Sequence, residues 1–163
     1  MDLQTQRLIQ GAAGAGGDPL YVDDVFSIDL WNSVSDQAHT ITNGIDFTEG
    51  GLIWHKRRSG SSGFGYHVLI DSENGANKGM FSNNNSSINV LTSGSSFNNN
   101  GFTWASENNF HPSGNAMSSW SFRKAKNFFD CVSWTHGSSA NSNRRISHNL
   151  GSVPGMIIVK RNN

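Results

Sequence analysis

The chain is poor in the features that several large protein classes require. It has one cysteine, so no internal disulfide can form and the fold is not a disulfide scaffold. Lysine plus arginine and aspartate plus glutamate each number 12, so the net charge is zero and the electrostatic attraction behind nucleic-acid binding is missing. No apolar run approaches the length of a membrane-spanning helix. We therefore expect a protein that binds neither nucleic acid nor membrane.

Sequence patterns for metal binding and catalysis are also missing. None of the six histidines forms the i, i+4 pair of a zinc site, and Cys131 has no cysteine partner. The alternating aspartates of a calcium loop are absent, and no two carboxylates are paired by their spacing as a glycosidase needs. Cys131 shares one side of a predicted strand with Phe129 and Ser133, which favours a buried, unreactive thiol. The sequence predicts a protein that is not an enzyme and uses no metal or cofactor.

Turn-forming and aromatic residues are abundant instead. Glycine, serine and asparagine number 18, 24 and 20. The 10 Phe, 5 Trp and 2 Tyr residues recur between the turns, which argues against disorder, because disordered chains have few aromatics. Short strands between turns predict an all-β fold, an antiparallel β-sandwich of the jelly-roll type. The predicted strands lie near residues 26–31, 39–41, 52–54, 65–70, 78–82, 87–91 and 101–105, with a last one that ends at Lys124.

Two of these strands carry informative side-chain patterns. In the first, Phe26, Ile28 and Leu30 form an apolar face, and the opposite face is mixed. We expect the apolar face to point into the core. Residues 52–54 are apolar on both faces, which predicts a central strand that is covered on both sides.

The end of the chain repeats its beginning. Residues 146–161 match residues 41–56 without a gap, so that Ile157 falls on Leu52. So long a period indicates tandem domains rather than a solenoid. We expect the second repeat to form three strands within residues 129–161 and to continue in a longer protein. The predicted units are a β-sandwich domain at residues 21–127 and the start of a second, similar β-repeat at residues 128–163.

The first twenty residues differ from the rest of the chain. Leu3, Leu8 and Ile9 precede a run of glycine and alanine at residues 11–17, and no period of two is present. Glycine at this density is flexible unless a partner orders it. We expect residues 1–20 to form an arm that docks on another protein through its three apolar side chains.

Tryptophan and asparagine supply the candidates for a contact surface. Trp31 and Trp134 lie on the strand face opposite the predicted core, and Asn98, Asn99 and Asn100 form a predicted loop tip. Exposed rings beside amides are typical of sugar sites in lectin-like sandwiches. The alternative interpretation is that these tryptophans are packed or contact a neighbouring subunit. The remaining tryptophans of the first domain are expected to be packed, Trp54 and Trp120 in particular.

Six stretches together resemble one protein family, and they lie at residues 23–27, 41–46, 49–56, 102–104, 120–125 and 148–160. They are similar to virion proteins of tailed phages, which are common in phages of marine bacteria and cyanobacteria. Such proteins are described as tail fibre or structural proteins with concanavalin-like, LamG-type jelly-roll domains. The most specific stretch is the last one. The resemblance covers most of residues 21–161 and supplies no catalytic or metal-binding motif.

This resemblance implies a structural component of the virion. The expected role is the N-terminal part of a tail fibre or appendage subunit, anchored to the particle by the arm. The expected partners are other virion proteins of the tail, neck or capsid, further copies of the chain in a homotrimer, and a glycan of the host surface. Two alternatives are a carbohydrate-binding adhesion module and a head decoration or cement protein.

Overall fold

The computed structural model describes residues 20–33, 37–59, 67–91, 94–105, 114–135 and 143–161. Leu3, Leu8 and Ile9 lie outside the described residues, so their docking role stays a prediction. The described part is made of strands and loops in two antiparallel sheets, which confirms the all-β sandwich. No helix in these ranges is long and apolar enough to cross a membrane.

One helical turn precedes the strands: α1, Val22–Val25. It is closed by a 2.7 Å hydrogen bond from the Tyr21 N–H to the Asp24 carboxylate. A 3-10 turn, Phe47–Glu49, leads into the third strand. The strands in the described ranges are β1 (Phe26–Asn32), β2 (His39–Ile41), β3 (Gly51–Arg57), β4 (His67–Asp71), β5 (Lys78–Phe81), β6 (Asn89–Val90), β7 (Ser96–Asn98), β8 (Gly101–Trp104) and β9 (Ala116–Arg123).

The large sheet has the strand order β1-β9-β3-β4-β5-β6. β3 lies inside it, with Trp54 opposite Trp120 of β9 on one side and opposite Leu69 of β4 on the other. The prediction that residues 52–54 belong to a central strand is therefore confirmed. β1 is the first strand of the order, and its only strand partner in the described ranges is β9.

The small sheet has the order β2-β8-β7 and covers one face of the large sheet. Its β7–β8 turn depends on Gly101, whose φ of 111° lies in the region that favours glycine. The Gly101 N–H donates to the Ile45 carbonyl at 2.6 Å, and a Cβ here would lie 2.0 Å from the Ile41 carbonyl oxygen. Asn100 fixes the same corner, because its Oδ1 accepts the Gly44 N–H at 2.9 Å.

Two apolar clusters fill the interior, and the half-buried Phe97 packs against both. The first cluster contains Trp31, Ile41, Ile45, Phe47, Ile53, Phe102 and Met117. The second contains Val68, Ile70, Phe81, Leu91 and Trp104. Since Phe97 lies on the small sheet, one side chain of that sheet links both halves of the core.

The alternation along β1 is as predicted, but its faces are reversed. Ile28 and Leu30 are 57% and 66% exposed, so the face predicted to be buried points outward. On the opposite face, the Asp29 carboxylate accepts a 2.7 Å hydrogen bond from Asn43 Nδ2, which also lies 3.1 Å from Ser121 Oγ. Polar groups can leave water when they are hydrogen-bonded in this way. The network therefore lets β1 turn its mixed face inward.

In residues 129–135 and 143–161, the described portion of the predicted second repeat, the three expected strands do not form. In the described ranges this part contributes one isolated bridge, Ala125 with Phe129, and otherwise forms neither helix nor strand. Two hydrogen bonds join the stretch that follows β9 to residues 149–150: the Asn127 N–H donates to the Leu150 carbonyl at 2.7 Å, and the Asn149 N–H to the Asp130 carboxylate at 2.6 Å. The expectation of strands assumed that this segment finds pairing partners, and none lies beside it here. The predicted boundary near residue 128 stays a prediction.

Candidate assembly surface

Trp31 does not offer its ring to solvent. It is only 8% exposed, and its indole N–H donates to Ser119 Oγ at 2.8 Å. One ring face stacks on His39, with centroids 4.7 Å apart. The exposure predicted for Trp31 is therefore wrong, because β1 presents its mixed face to the core. The alternative interpretation, a packed tryptophan, agrees with this position.

The other candidates for sugar contact occupy separate elements. Trp134 is 40% exposed and follows the end of β9. At the β7–β8 turn, Asn98 Nδ2 donates to Thr103 Oγ1 at 3.1 Å, so this amide is used within the hairpin. Asn100 is likewise bonded to the neighbouring loop, and Asn99 is exposed at the tip. Of these three side chains, that of Asn99 is therefore the one placed to contact a ligand.

A buried serine and histidine meet inside the sandwich. Ser119 Oγ lies 2.7 Å from His55 Nδ1, the distance of a nucleophile and its base. Both residues are buried, at 0% and 1% exposure, so no substrate reaches the hydroxyl. Trp31 donates to the same oxygen, so Ser119 Oγ bonds to two buried ring nitrogens, and the trio serves to satisfy buried polar groups. Sequence analysis missed this pair, because 64 residues separate its members.

The one thiol is unsuited to nucleophilic chemistry. Cys131 Sγ lies 3.7 Å from both Ser72 Oγ and the Gly51 carbonyl oxygen. Burial raises the pKa of this thiol to about 11, so it is protonated at neutral pH. In the described ranges no three His, Cys, Asp or Glu side chains lie close enough together to hold a metal ion.

The outward face of the large sheet carries an apolar row across five strands. Side chains directly opposite in the register share a face, and this row consists of Ile28, Trp120, Trp54, Leu69 and Met80. The Trp54 and Trp120 rings pack against each other with centroids 5.8 Å apart, as expected for packed tryptophans. Leu69 and Met80 are buried, whereas Ile28 at the β1 end is exposed. The accessible part of the row therefore lies at the β1 edge.

Residues 153–160, called the 153–160 segment below, form a second apolar surface. Five of its side chains are 67–92% exposed: Val153, Met156, Ile157, Ile158 and Val159. The segment ends at Lys160, whose Nζ donates to the Asn84 and Ser86 carbonyls at 3.1 and 3.4 Å. These two residues belong to the loop between β5 and β6, at the far side of the sheet from β1. The chain thus exposes one apolar strand face and one apolar segment outside the strands at opposite ends of the large sheet.

A charged cluster fixes the start of this C-terminal part. Lys124 Nζ lies 2.8 Å from Glu73 Oε1 and 3.2 Å from Asp130 Oδ1. Burial disfavours the charged form of Asp130, but the Asn149 N–H and the Lys124 ammonium outweigh it and hold the pKa of its carboxyl below the usual value. The pKa of Lys124 is raised: burial opposes its charge, and its bonds to Glu73 and Asp130 prevail. The ionised pair therefore keeps the C-terminal segment against the sandwich at neutral pH.

Comparison with known proteins places the chain in a family that has no assigned function. A family model described as a domain of unknown function, DUF7483, matches residues 25–163. No curated protein and no solved structure matches the chain. The match runs through the predicted boundary near residue 128 and covers nearly all of the chain outside the arm. The resemblance to phage tail fibre proteins stays a prediction, and the chain belongs to the DUF7483 family.

Proposed function

We propose that the protein is a structural, non-enzymatic component of a phage virion, the N-terminal part of a tail fibre or appendage subunit. The observation that supports this is the 153–160 segment. Its side chains are exposed, although its sequence copy, residues 48–55, includes the start of β3 in the interior of the large sheet. Contiguous exposed apolar side chains of this kind mark surfaces that contact other proteins. A subunit of an assembly has such a surface because its neighbours cover it.

The energetics agree with an assembly role. Burying one Val, Ile or Met side chain contributes roughly 1.5–3 kcal/mol. The 153–160 segment has five such side chains, and the outward face of β1 adds Ile28 and Leu30. Zero net charge also lets identical surfaces approach without strong repulsion. These features support a homotrimer in which each subunit covers apolar surface of its neighbours.

In this proposal the N-terminal arm attaches the subunit to the tail, neck or capsid. Leu3, Leu8 and Ile9 are the proposed contact residues. They form too small an apolar group to fold alone, and they gain burial by docking on a virion protein. The sandwich then begins the appendage that extends towards the host.

A carbohydrate-binding adhesion module is the second candidate. Trp134 favours it, because this ring is 40% exposed and free to cover one face of a sugar. The exposed Asn99 amide adds a donor and an acceptor on a different element. One ring and one amide offer less contact surface than the exposed apolar side chains of the 153–160 segment. The structural role therefore has the stronger support.

Purified phage particles test the proposal. Immunogold labelling and quantitative mass spectrometry should find the chain on tail appendages in trimeric sets. A variant with Leu3, Leu8 and Ile9 replaced by Asp should be lost from particles, whereas a control with Gln4, Gln6 and Gln10 replaced by Asp should be retained. Label distributed over the shell would indicate a head decoration protein instead. Absence of the chain from particles while it accumulates in infected cells would contradict a virion role.

A further inference from the structure

The strand-forming sequence of the 153–160 segment has no strand partner among the residues that the structure describes. In its copy, Leu52 and Ile53 of β3 bond to β4 on one side and β9 on the other, and Ile53 is buried. The corresponding Ile157 and Ile158 are exposed, and no described strand pairs with them. A similar apolar pattern is thus fully paired at one place and has no partner among the described strands at the other. Pairing with a strand is what the second copy is missing.

β1 offers an edge that a strand can join. It is seven residues long and ends the large sheet, and no strand in the described ranges lies along the side facing away from β9. We call this side the open edge of β1. Proteins usually protect such edges with lysine, proline, a bulge or an inward-pointing charge. Residues 26–32 contain neither lysine nor proline, and their one charged residue, Asp29, points inward and is bonded to Asn43. Ile28 and Leu30 present an exposed apolar face beside this edge.

From these two features we propose that the 153–160 segment of one copy adds to the open edge of β1 in a second copy, as an antiparallel strand. The proposal deepens the structural role proposed above and rests on it for its place in the particle. The partner is another copy, because Lys160 is tied to the β5–β6 loop, at the opposite side of the sheet from β1 of its own chain. Four or five strand spacings separate the two sides, roughly 20 Å.

The charges select the antiparallel direction. The exposed Asp23 and Asp24 precede β1, whereas Lys160 ends the 153–160 segment and Arg161 follows it. Antiparallel addition brings the end of the segment beside the start of β1, so the two cations face the two carboxylates. Parallel addition would place them beside Asn32, which carries no charge.

A head-to-tail assembly follows from this pairing. Each copy gives one segment and receives another, so the two contact surfaces on a subunit differ. Such an interface closes into a ring when the rotation between neighbours permits it, and a ring of three matches the proposed trimer. It extends as a filament when the rotation does not close.

Native mass spectrometry and analytical ultracentrifugation of the purified 163-residue chain test the proposal. We expect self-association at micromolar concentration. Ile158→Pro removes a backbone donor from the 153–160 segment, and Leu30→Lys protects the open edge of β1. Each should weaken self-association at least about 100-fold. Val90→Lys, at an even more exposed apolar position on β6, is the control and should associate as the native chain does.

Mixing the two weakened variants gives the sharpest result. The Leu30→Lys chain keeps its segment and the Ile158→Pro chain keeps its edge, so the mixture should form a one-to-one pair and nothing larger. Asp23→Lys should weaken association, and adding Arg161→Glu to the other chain of the pair should restore it. At concentrations where the native chain is monomeric, all variants should keep its unfolding temperature, since the substituted side chains are exposed.

A chain that stays monomeric throughout this concentration range overturns the inference. So does native-like association of both weakened variants, or a mixture that fails to pair. Any of these three results would mean that the 153–160 segment contacts its neighbour in another geometry, or contacts a different protein. They leave the virion proposal standing, because incorporation into particles is measured separately.

Discussion

The indole of Trp31 donates to the hydroxyl of Ser119, and 88 residues of sequence separate the two. This 2.8 Å bond joins β1 to β9 inside the sandwich, and the same Ser119 hydroxyl forms a second hydrogen bond with His55 of β3. Three adjacent strands of the large sheet are thus linked by one buried hydroxyl. The link fixes which face of β1 points inward.

Removing either end of this bond should destabilise the fold. We expect Trp31→Phe to lower the free energy of unfolding by about 1–3 kcal/mol, because it leaves the buried Ser119 hydroxyl without its donor. Ser119→Ala should cost a similar amount. In a double-mutant cycle measured by urea unfolding, the double variant should cost less than the sum of the two. Strict additivity would show that the two side chains do not interact.

Gly101 of the β7–β8 hairpin should not tolerate a side chain. Gly101→Ala places a Cβ against the Ile41 carbonyl oxygen in a positive-φ conformation, and we expect a loss of at least about 3 kcal/mol in the free energy of unfolding. Gly75→Ala is the matched control: its φ is +97° and nothing lies within 4 Å of the added Cβ. It should cost only about 1 kcal/mol, the backbone strain alone. Equal losses would show that the close approach at Gly101 contributes nothing.

Cys131 should react slowly in the folded protein. With a pKa of about 11 instead of 9.0, the thiolate fraction at pH 8 is about 100-fold lower than that of an unperturbed thiol. Alkylation by iodoacetamide, followed by mass spectrometry, should be slower by a similar factor than in urea. The rate should still be rising at pH 10. A plateau near pH 9 in the folded protein would contradict the raised pKa.

Attachment of the C-terminal segment should depend on pH through Asp130. Its folded-state pKa lies below the unfolded value of about 3.9, so its stabilising contribution is complete above that value. The contribution is lost as the pH falls through the lower, folded-state pKa. Hydrogen exchange at the Asn149 N–H should therefore accelerate, relative to other amides, at acidic pH.

A substitution should reproduce this release at neutral pH. Asp130→Asn removes the charge that pairs with Lys124, and we expect faster exchange at Asn149 without a change in the core strands. Glu49→Gln removes a carboxylate from an exposed position and should leave exchange unchanged. If both substitutions act alike, general charge rather than the Asp130 contacts controls the segment.

The sequence predicted the class of fold and its central strand, because periodicity and turn chemistry are local. Residues 52–54 are apolar on both sides, and only a covered strand suits them. The orientation of β1 was beyond local rules: Ile28 and Leu30 are more apolar than Asp29, yet Asp29 points inward. That choice depends on Asn43 and Ser121, which the fold brings to Asp29 from distant positions. The buried Ser119–His55 contact could not be predicted for the same reason.

The C-terminal repeat shows a different limit. Ile157 and Leu52 occupy equivalent positions in two similar stretches, but among the described strands only Leu52 has partners. A sequence of high strand propensity can pair, but it forms a strand only where a partner strand lies beside it. The expectation of three strands within residues 129–161 assumed that a similar sequence has similar neighbouring strands.

Asn43 also determines how the protein ages chemically. An asparagine followed by glycine deamidates most readily, because the unhindered glycine nitrogen attacks the side-chain amide. Here the Gly44 N–H is bonded to Asn100, and the Asn43 amide is held by Asp29 and Ser121. Deamidation would put a new carboxylate 2.7 Å from that of Asp29. The same hydrogen bonds that orient β1 therefore slow the spontaneous reaction that would most directly undo that orientation.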